Sequence, residues 1–154
     1  MKKYIQLSIF LFFLLSTICC NKKVYPSAEV NFLSENEQTV TVRTIGMGND
    51  KENAIINAEQ KVFDVLFFRG LPESKQKLPL IGSNENEEKA KNKAYFDNFY
   101  DGRRYKTFVM SSIPVSNTVK VNSRQKMITL DVKVNLSALR KDLETFNLIR
   151  KFGY

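Results

Sequence analysis

The chain has 154 residues, a net charge of +8 from 24 Lys and Arg against 16 Asp and Glu, no His, no Trp, and two cysteines, Cys19 and Cys20. This length corresponds to roughly one domain and leaves little room for a large active-site architecture. The lack of His removes the commonest general base, pH switch and metal ligand. Composition therefore disfavours most catalytic and metal-binding chemistry.

The first 19 residues have the pattern of a bacterial signal peptide. Lys2 and Lys3 form a basic start, and an apolar core follows from Ile9 to Leu15. That core is too short for a transmembrane helix, which needs about 20 apolar residues. We therefore expect this segment to direct export and then to be removed.

The segment Ser16-Thr17-Ile18-Cys19-Cys20 resembles a lipobox, the processing site of bacterial lipoproteins. Bulky Ile18 disfavours cleavage directly before Cys19, whereas Cys19 would supply the small preceding residue if Cys20 were acylated. Cys20 is therefore the predicted lipidation site and Cys19 the second choice. The alternative is two structural or disulfide cysteines, although adjacent cysteines seldom bridge to each other because of strain. Several acyl chains, palmitate among them, would anchor the chain firmly.

This processing signal predicts both the organisation and the location of the chain. We expect a signal peptide over residues 1–19, a lipidated N-terminus and tether over 20–37, and a single domain over 38–154. Removal of Lys2 and Lys3 lowers the net charge from +8 to +6. We expect an outer-membrane lipoprotein of a bacterial envelope, held in the membrane by its lipid, with the domain in the periplasm. Nucleic acid is not an expected partner there, and the oligomeric state stays open.

The sequence of the first half of the domain predicts one strand and two helices. Alternating β-branched residues over Thr39–Ile45 are typical of a half-buried strand, and Glu29–Leu33 is a candidate short strand within the tether. Apolar spacing predicts a helix over Lys51–Arg69 capped at Asn49 or Asp50, and a second helix capped at Ser83 or Asn84 and reaching about Phe99.

The second half predicts three strands and a last helix. The strands are Tyr105–Ile113, Val115–Asn122 and Met127–Leu136, and the helix is capped at Ser137. In the last strand Ile128, Leu130, Val132, Val134 and Leu136 alternate with polar side chains, so one sheet face is buried and the other is wet. The element order predicts an α+β two-layer sandwich, with an antiparallel sheet of about four strands and two to three helices packed on one face.

Two glycines between the first strand and the first helix invite a dinucleotide-binding interpretation. Gly46 and Gly48 could allow backbone amides to approach a pyrophosphate at the helix N-terminus. The third small residue of that fingerprint falls on Lys51, however, and no return to a parallel strand follows. We therefore expect no nucleotide and no other cofactor.

Aromatic and basic residues interleave from Tyr95 to Lys106. The candidate contacts to a polyanion or glycan are Arg103, Arg104 and Lys106, by analogy with surfaces that combine stacking rings and cations. The structural alternative is that the aromatic residues are needed for the core while their charged neighbours lie at solvated turns. We hold the structural alternative to be stronger.

Nothing in the sequence points to converging catalytic carboxylates. Glu85, Glu87 and Glu88 fall on a solvated first helical turn, Ser residues lack a His partner, and metal ligation lacks His. We therefore expect no metal and no enzyme. A small hydrolase remains a remote alternative.

The strand Thr39–Ile45, its Gly46-x-Gly48 turn and a helix carrying Ala54, Ala58 and Leu66 resemble a family of lipoproteins related to the N-terminal domain of flagellar assembly protein T. The resemblance implies an α+β envelope domain with a scaffolding or assembly role and without catalysis. It carries over no functional residues. The resulting hypothesis is a non-enzymatic module that binds another envelope protein or a cell-wall partner, and the alternative is a binder of cell-wall or lipopolysaccharide polyanions.

Overall fold

The computed structural model describes residues 30–150. One antiparallel sheet has the strand order β1-β2-β5-β3, and β4 pairs with β5 beside β3. The strands are β1 Val30–Glu35, β2 Thr39–Gly48, β3 Val109–Pro114, β4 Val119–Lys120 and β5 Lys126–Asn135. The helices are α1 Lys51–Phe68, α2 Glu85–Lys91, α3 Lys93–Tyr100 and α4 Leu136–Thr145, with a 3-10 helix over Arg104–Phe108.

The predicted α+β fold with an antiparallel sheet is confirmed, and residues 30–150 contain five strands and four helices instead of about four and two to three. The predicted signal peptide, Cys19, Cys20 and the start of the tether lie outside the described residues. The sheet itself begins inside the predicted tether, because β1 pairs with β2 from Val30 opposite Thr44 to Glu35 opposite Val40. The candidate short strand over Glu29–Leu33 corresponds to β1, which begins at Val30 and reaches Glu35, with a β-bulge between Phe32 and Ser34.

Helix α1 packs as its sequence predicts, and the structure decides between the two predicted caps, Asn49 and Asp50. Asp50 caps it, since its carboxylate accepts a hydrogen bond from the Asn53 amide at 2.8 Å. The apolar side of the helix is fully buried against the sheet, at Ala54, Ala58, Val62, Phe63, Leu66 and Phe67. On the sheet, the facing side chains of β2 and β5 are buried as well, so this layer contact forms most of the core.

The second predicted helix is two helices that meet at Asn92. Asn92 has φ −114° and ψ 35°, outside helical geometry, and its side-chain amide donates a hydrogen bond to the carbonyl of Glu88 at 3.2 Å. The change of direction lets α3 turn Tyr95, Phe96 and Phe99 into the core. Side-chain bonding to the backbone competes with continued helix, which is why Asn favours such boundaries.

The predicted strand over Tyr105–Ile113 is wrong in its first half, where a 3-10 helix lies. Tyr105 and Phe108 are buried, and a spacing of three places both on one side of a 3-10 turn. Their rings join Phe63 and Phe99 in an aromatic cluster, with Phe99 stacked on Phe108 at 5.9 Å between centroids. Burial of both rings against this cluster overrides the strand propensity of the segment.

Two other boundaries differ from the predictions. The predicted strand over Val115–Asn122 is reduced to the two residues of β4. The last helix is capped by Asn135 instead of Ser137, because the Asn135 side chain accepts a hydrogen bond from the Ala138 amide at 2.9 Å. Beyond α4, Leu148 and Ile149 pack against the core.

Candidate functional site

The helices cover only one face of the sheet. Side chains of β2 and β5 that point toward α1 are buried, whereas every residue between them on β5 from Met127 to Asn135 is partly exposed. The corresponding residues Thr41, Arg43, Ile45 and Met47 of β2 are also partly exposed. We call this side the open face.

Apolar side chains gather at one end of the open face. The strand register places Met47 opposite Met127 and Met127 opposite Val119. In the next row Ile45 lies opposite Thr129, and the Val115 amide donates a hydrogen bond to the Thr129 carbonyl at 2.9 Å. The following row brings Ile113 opposite Asp131. We call these six apolar residues the apolar patch: Ile45, Met47, Ile113, Val115, Val119 and Met127.

The outer strands leave the apolar patch accessible. Ile113, Val115 and Val119 are 60%, 46% and 51% exposed. An antiparallel sheet commonly has one solvated face, but that face is normally polar. Contiguous apolar surface on a folded domain marks an interaction site more often than scattered exposed residues do.

A charged pair borders the apolar patch on the open face. Arg43 donates two hydrogen bonds to the Asp131 carboxylate, at 2.8 and 2.9 Å, from directly across β2 and β5. The hydrogen bond from Arg43 lowers the pKa of Asp131, and the same bond raises the pKa of Arg43. The negative charge of Asp131 is therefore neutralised by Arg43 within the sheet.

Three cations lie on the hairpin beside the apolar patch. We call the segment Val119–Lys126 the basic hairpin; its cations are Lys120, Arg124 and Lys126, all exposed. Lys120 and Lys126 lie directly opposite each other across β4 and β5. None of the three forms an ion pair with another described residue, and the sequence has no Asp or Glu from Val115 to Leu130.

The three cations predicted to contact a polyanion lie elsewhere, and each has a carboxylate partner. Arg104 pairs with Asp142, and Lys106 pairs with Glu59, which is almost fully buried. The third, Arg103, lies 3.6 Å from a carboxylate oxygen of Glu52. A polyanion binding at these cations would have to compete with intramolecular ion pairs, so contact there stays a prediction.

Arg104 is part of the packing around α4. Its guanidinium lies over the rings of Tyr95, Phe108 and Phe146, at 4.8 Å from the Phe146 centroid. The Tyr95 hydroxyl donates a hydrogen bond to Asp142 at 2.9 Å, so the carboxylate joins both side chains. Burial, with the neighbouring Asp142, raises the pKa of Tyr95. The aromatic residues of this segment therefore contribute to the core, as the structural alternative expects.

Sequence reasoning missed the apolar patch for a physical reason. The alternation within β5 predicted that one side of this strand is solvated, and Thr129, Asp131 and Lys133 do lie on that side. Ile113, Val115 and Val119 belong to a separate segment, and the sequence did not predict which face of the sheet their side chains occupy. The absence of any acidic residue from Val115 to Leu130 was a signal for the basic hairpin next to the apolar patch, but not for the patch itself.

Among residues 30–150, no group of three or more His, Cys, Asp or Glu side chains is arranged to hold a metal ion. None of the helices in this range has the length and hydrophobicity that a membrane crossing requires.

Comparison of the chain with protein-family models, curated proteins and solved structures gives no match. The resemblance to the lipoprotein family related to flagellar assembly protein T therefore stays a prediction.

Proposed function

We propose that this protein is a non-enzymatic, lipid-anchored lipoprotein of the bacterial envelope that binds another envelope component through its open face. The observation that carries the binding role is the apolar patch. Its outer residues Ile113, Val115 and Val119 are about half exposed, although the helices already enclose a complete core on the other face. Leaving such side chains in water costs free energy that a binding partner would recover.

The lipid anchor rests on the sequence alone. A basic start, a short apolar core and the Ser16–Cys20 junction support acylation of Cys20. With Cys19 removed in the signal peptide, the mature chain would keep no free thiol. Export to the envelope and a surface built for binding are consistent with each other, since anchoring confines the domain near its partners.

Anchoring is tested by metabolic labelling with a fatty acid and by membrane fractionation. We expect the protein to take up label and to fractionate with membranes, and Cys20→Ala to abolish the labelling. Cys19→Ala is the matched control, because Ala supplies the small residue that should precede the acylated cysteine, and it should leave labelling intact. Unlabelled wild-type protein would refute the anchor, and loss of label only in Cys19→Ala would move it to Cys19.

Binding by the open face is tested by thiol accessibility in the Val115→Cys protein. We expect a maleimide to label this position slowly in intact membranes and quickly after purification. Leu78→Cys is the matched control, since Leu78 is an exposed apolar residue of the loop that follows α1. It should react quickly in both preparations. Equal labelling rates at Val115→Cys before and after purification would contradict a covered open face.

A further inference from the structure

We propose that the apolar patch and the basic hairpin together dock on an anionic lipid surface, so that the membrane itself covers this end of the open face. This inference deepens the proposed function by naming the partner, and it rests on the proposed lipid anchor for its geometry. The occupant follows from the charges, the shape of the surface and the point at which the chain enters the sheet.

The charge arrangement favours an anionic partner. Lys120 and Lys126 are like charges directly opposite each other in an antiparallel pair, an arrangement that destabilises a hairpin in water. Arg124 in the connecting turn adds a third cation. Anions placed against the hairpin would relieve this repulsion, and no carboxylate of the segment from Val115 to Leu130 can do so.

The combination of apolar and basic side chains favours a lipid surface over a soluble polyanion. Val119 and Met127 lie in the two strands that carry Lys120 and Lys126, and the alternation of a strand puts the two kinds of side chain on opposite sides. A hairpin that lies within the headgroup layer of a membrane meets acyl chains on its apolar side and anionic headgroups on its basic side. A soluble polyanion would leave Val115, Val119 and Ile113 in water.

The same charges argue against a second copy of the chain. Among the charged side chains of β2 and β5 on the open face, Asp131 is neutralised by Arg43, and Lys133 forms no ion pair with another described residue. Two open faces in contact would bury Lys133 of both copies, and neither β2 nor β5 offers it a carboxylate that is not already paired. Repulsion between like charges opposes that contact.

The direction of β1 is consistent with a lipid anchor near the hairpin end of the sheet. β1 begins at Val30 opposite Thr44 and runs toward Glu35, away from the basic hairpin, so the chain enters the sheet from the hairpin end. Val30 is ten residues after Cys20. Ten residues span at most about 35 Å, so a lipid on Cys20 keeps the hairpin end near the membrane.

Other charged groups at this end do not cancel the hairpin. Asp50 and Glu52 lie at the start of α1, next to Gly48, which pairs with Lys126. Asp50 caps the helix, and Glu52 lies 3.6 Å from Arg103. Of these two carboxylates, only Asp50 has no cation partner among the described residues, so the three hairpin cations leave this end of the sheet with an excess of positive charge.

A single introduced tryptophan tests the docking, because the chain has no Trp of its own. The lipid-anchored Val119→Trp protein is reconstituted on vesicles of phosphatidylcholine and phosphatidylglycerol that contain brominated lipid. We expect strong quenching and a blue shift of its tryptophan emission. Leu78→Trp, in the exposed loop at the other end of the sheet, is the matched control and should be quenched little. Equal quenching at the two positions, or none in Val119→Trp, would overturn the proposal.

Charge removal tests the electrostatic part. In the Val119→Trp background, replacing Lys120, Arg124 and Lys126 with Gln should lower the docked-to-undocked ratio roughly 100-fold, at about fivefold per cation. The matched control replaces three other exposed cations without ion pairs, Lys77, Lys91 and Lys141, with Gln and should retain the quenching. Equal loss in both variants, or unchanged quenching on vesicles of phosphatidylcholine alone, would contradict recognition of anionic lipid.

The outcomes separate this inference from the proposed function. Failure of fatty-acid labelling removes the anchor, yet quenching of the unanchored Val119→Trp protein by added vesicles would still support lipid docking. Fatty-acid labelling without quenching in the Val119→Trp protein keeps the anchor and overturns the docking. A blue shift of this variant's emission that grows with protein concentration in the absence of vesicles would show self-association and overturn it as well.

Discussion

Gly46 of β2 lies so close to Ala58 of α1 that a Cβ on the glycine would be 2.6 Å from the Ala58 Cβ. Real Cβ atoms essentially never approach that closely, so the helix can rest on the strand only if residue 46 has no side chain. The Gly-x-Gly turn that resembles a nucleotide-binding fingerprint is explained here by helix-to-strand packing. Gly48 has the same role one row further on, since its Cβ would lie 2.6 Å from the Asn53 carbonyl carbon.

We therefore expect Gly46→Ala to destabilise the fold by at least about 1–3 kcal/mol, the usual cost of overpacking a close contact. The free energy of unfolding, measured by urea denaturation, checks this value. Gly82→Ala is the matched control, because its Cβ would come no closer than 3.7 Å to a neighbouring atom. Its effect should stay within about 0.5 kcal/mol, and equal losses in the two variants would contradict the packing argument.

Lys106 is expected to stabilise the fold through Glu59. Glu59 is 2% exposed and its carboxylate contacts the Lys106 ammonium. Lys106→Ala would leave this buried carboxylate without its cation, which should cost about 1–3 kcal/mol. Thermal or urea unfolding of Lys106→Ala and of the double variant with Glu59→Gln measures the cost. The double variant should recover part of the loss, because the uncompensated charge is gone.

Arg103→Ala is the control for the neighbouring cation. Its ion pair with Glu52 is exposed and 3.6 Å long, so the change should cost less than about 0.5 kcal/mol. A cost as large as that of Lys106→Ala would show that exposure is not what separates the two cations. For the predicted polyanion contact, this difference means that charge reversal at Lys106 also tests stability, whereas reversal at Arg103 tests binding more cleanly.

Asp142 joins Tyr95 to Arg104 beneath the last helix. Its carboxylate is 13% exposed and the Arg104 side chain 25%. Asp142→Ala would leave the Arg104 guanidinium among aromatic rings without its carboxylate. We expect the free energy of unfolding to fall by about 3 kcal/mol, near the lower end for a broken buried ion pair. Urea unfolding of Asp142→Ala and of the double variant with Arg104→Met checks this. If Arg104→Met does not recover stability in the Asp142→Ala background, the stranded cation is not the cause.

The Arg43 and Asp131 pair predicts a specific acid dependence of stability. The pKa of Asp131 is lowered in the folded protein, so its contribution is complete above the ordinary Asp pKa of about 3.9 and is lost as pH falls through the folded value. The stability difference between wild type and Asp131→Asn should be constant above about pH 5 and shrink below about pH 4. Urea titrations at several pH values measure it. A difference that grows on acidification would contradict the sign.

The local periodicities were sufficient for the main elements of this fold. The alternation in β5 and the apolar stripe of α1 each depend on side chains within a few residues of one another, and the cap of α1 was narrowed to Asn49 or Asp50 in the same way. Burial on one side of an element leaves its mark in that element's own spacing. The antiparallel α+β arrangement follows because the last strands are joined by short connections.

Contacts between distant segments could be decided only by the tertiary structure. The local sequence around Tyr105 and Phe108 predicts a strand. These residues form a 3-10 helix instead, because their rings pack against Phe63 and Phe99. Lys106 and Glu59 are far apart in the chain, so the residues around Lys106 could not indicate that its ammonium pairs with Glu59.

The open face shows the same division. Sequence alternation alone predicted that one side of β5 is wet, and residues 127–135 bear this out. The apolar patch exists because β2, β5 and the segment Ile113–Val119 align in register, which places side chains from three separate stretches in adjacent rows. Register is set by pairing between strands, and no single strand contains that information.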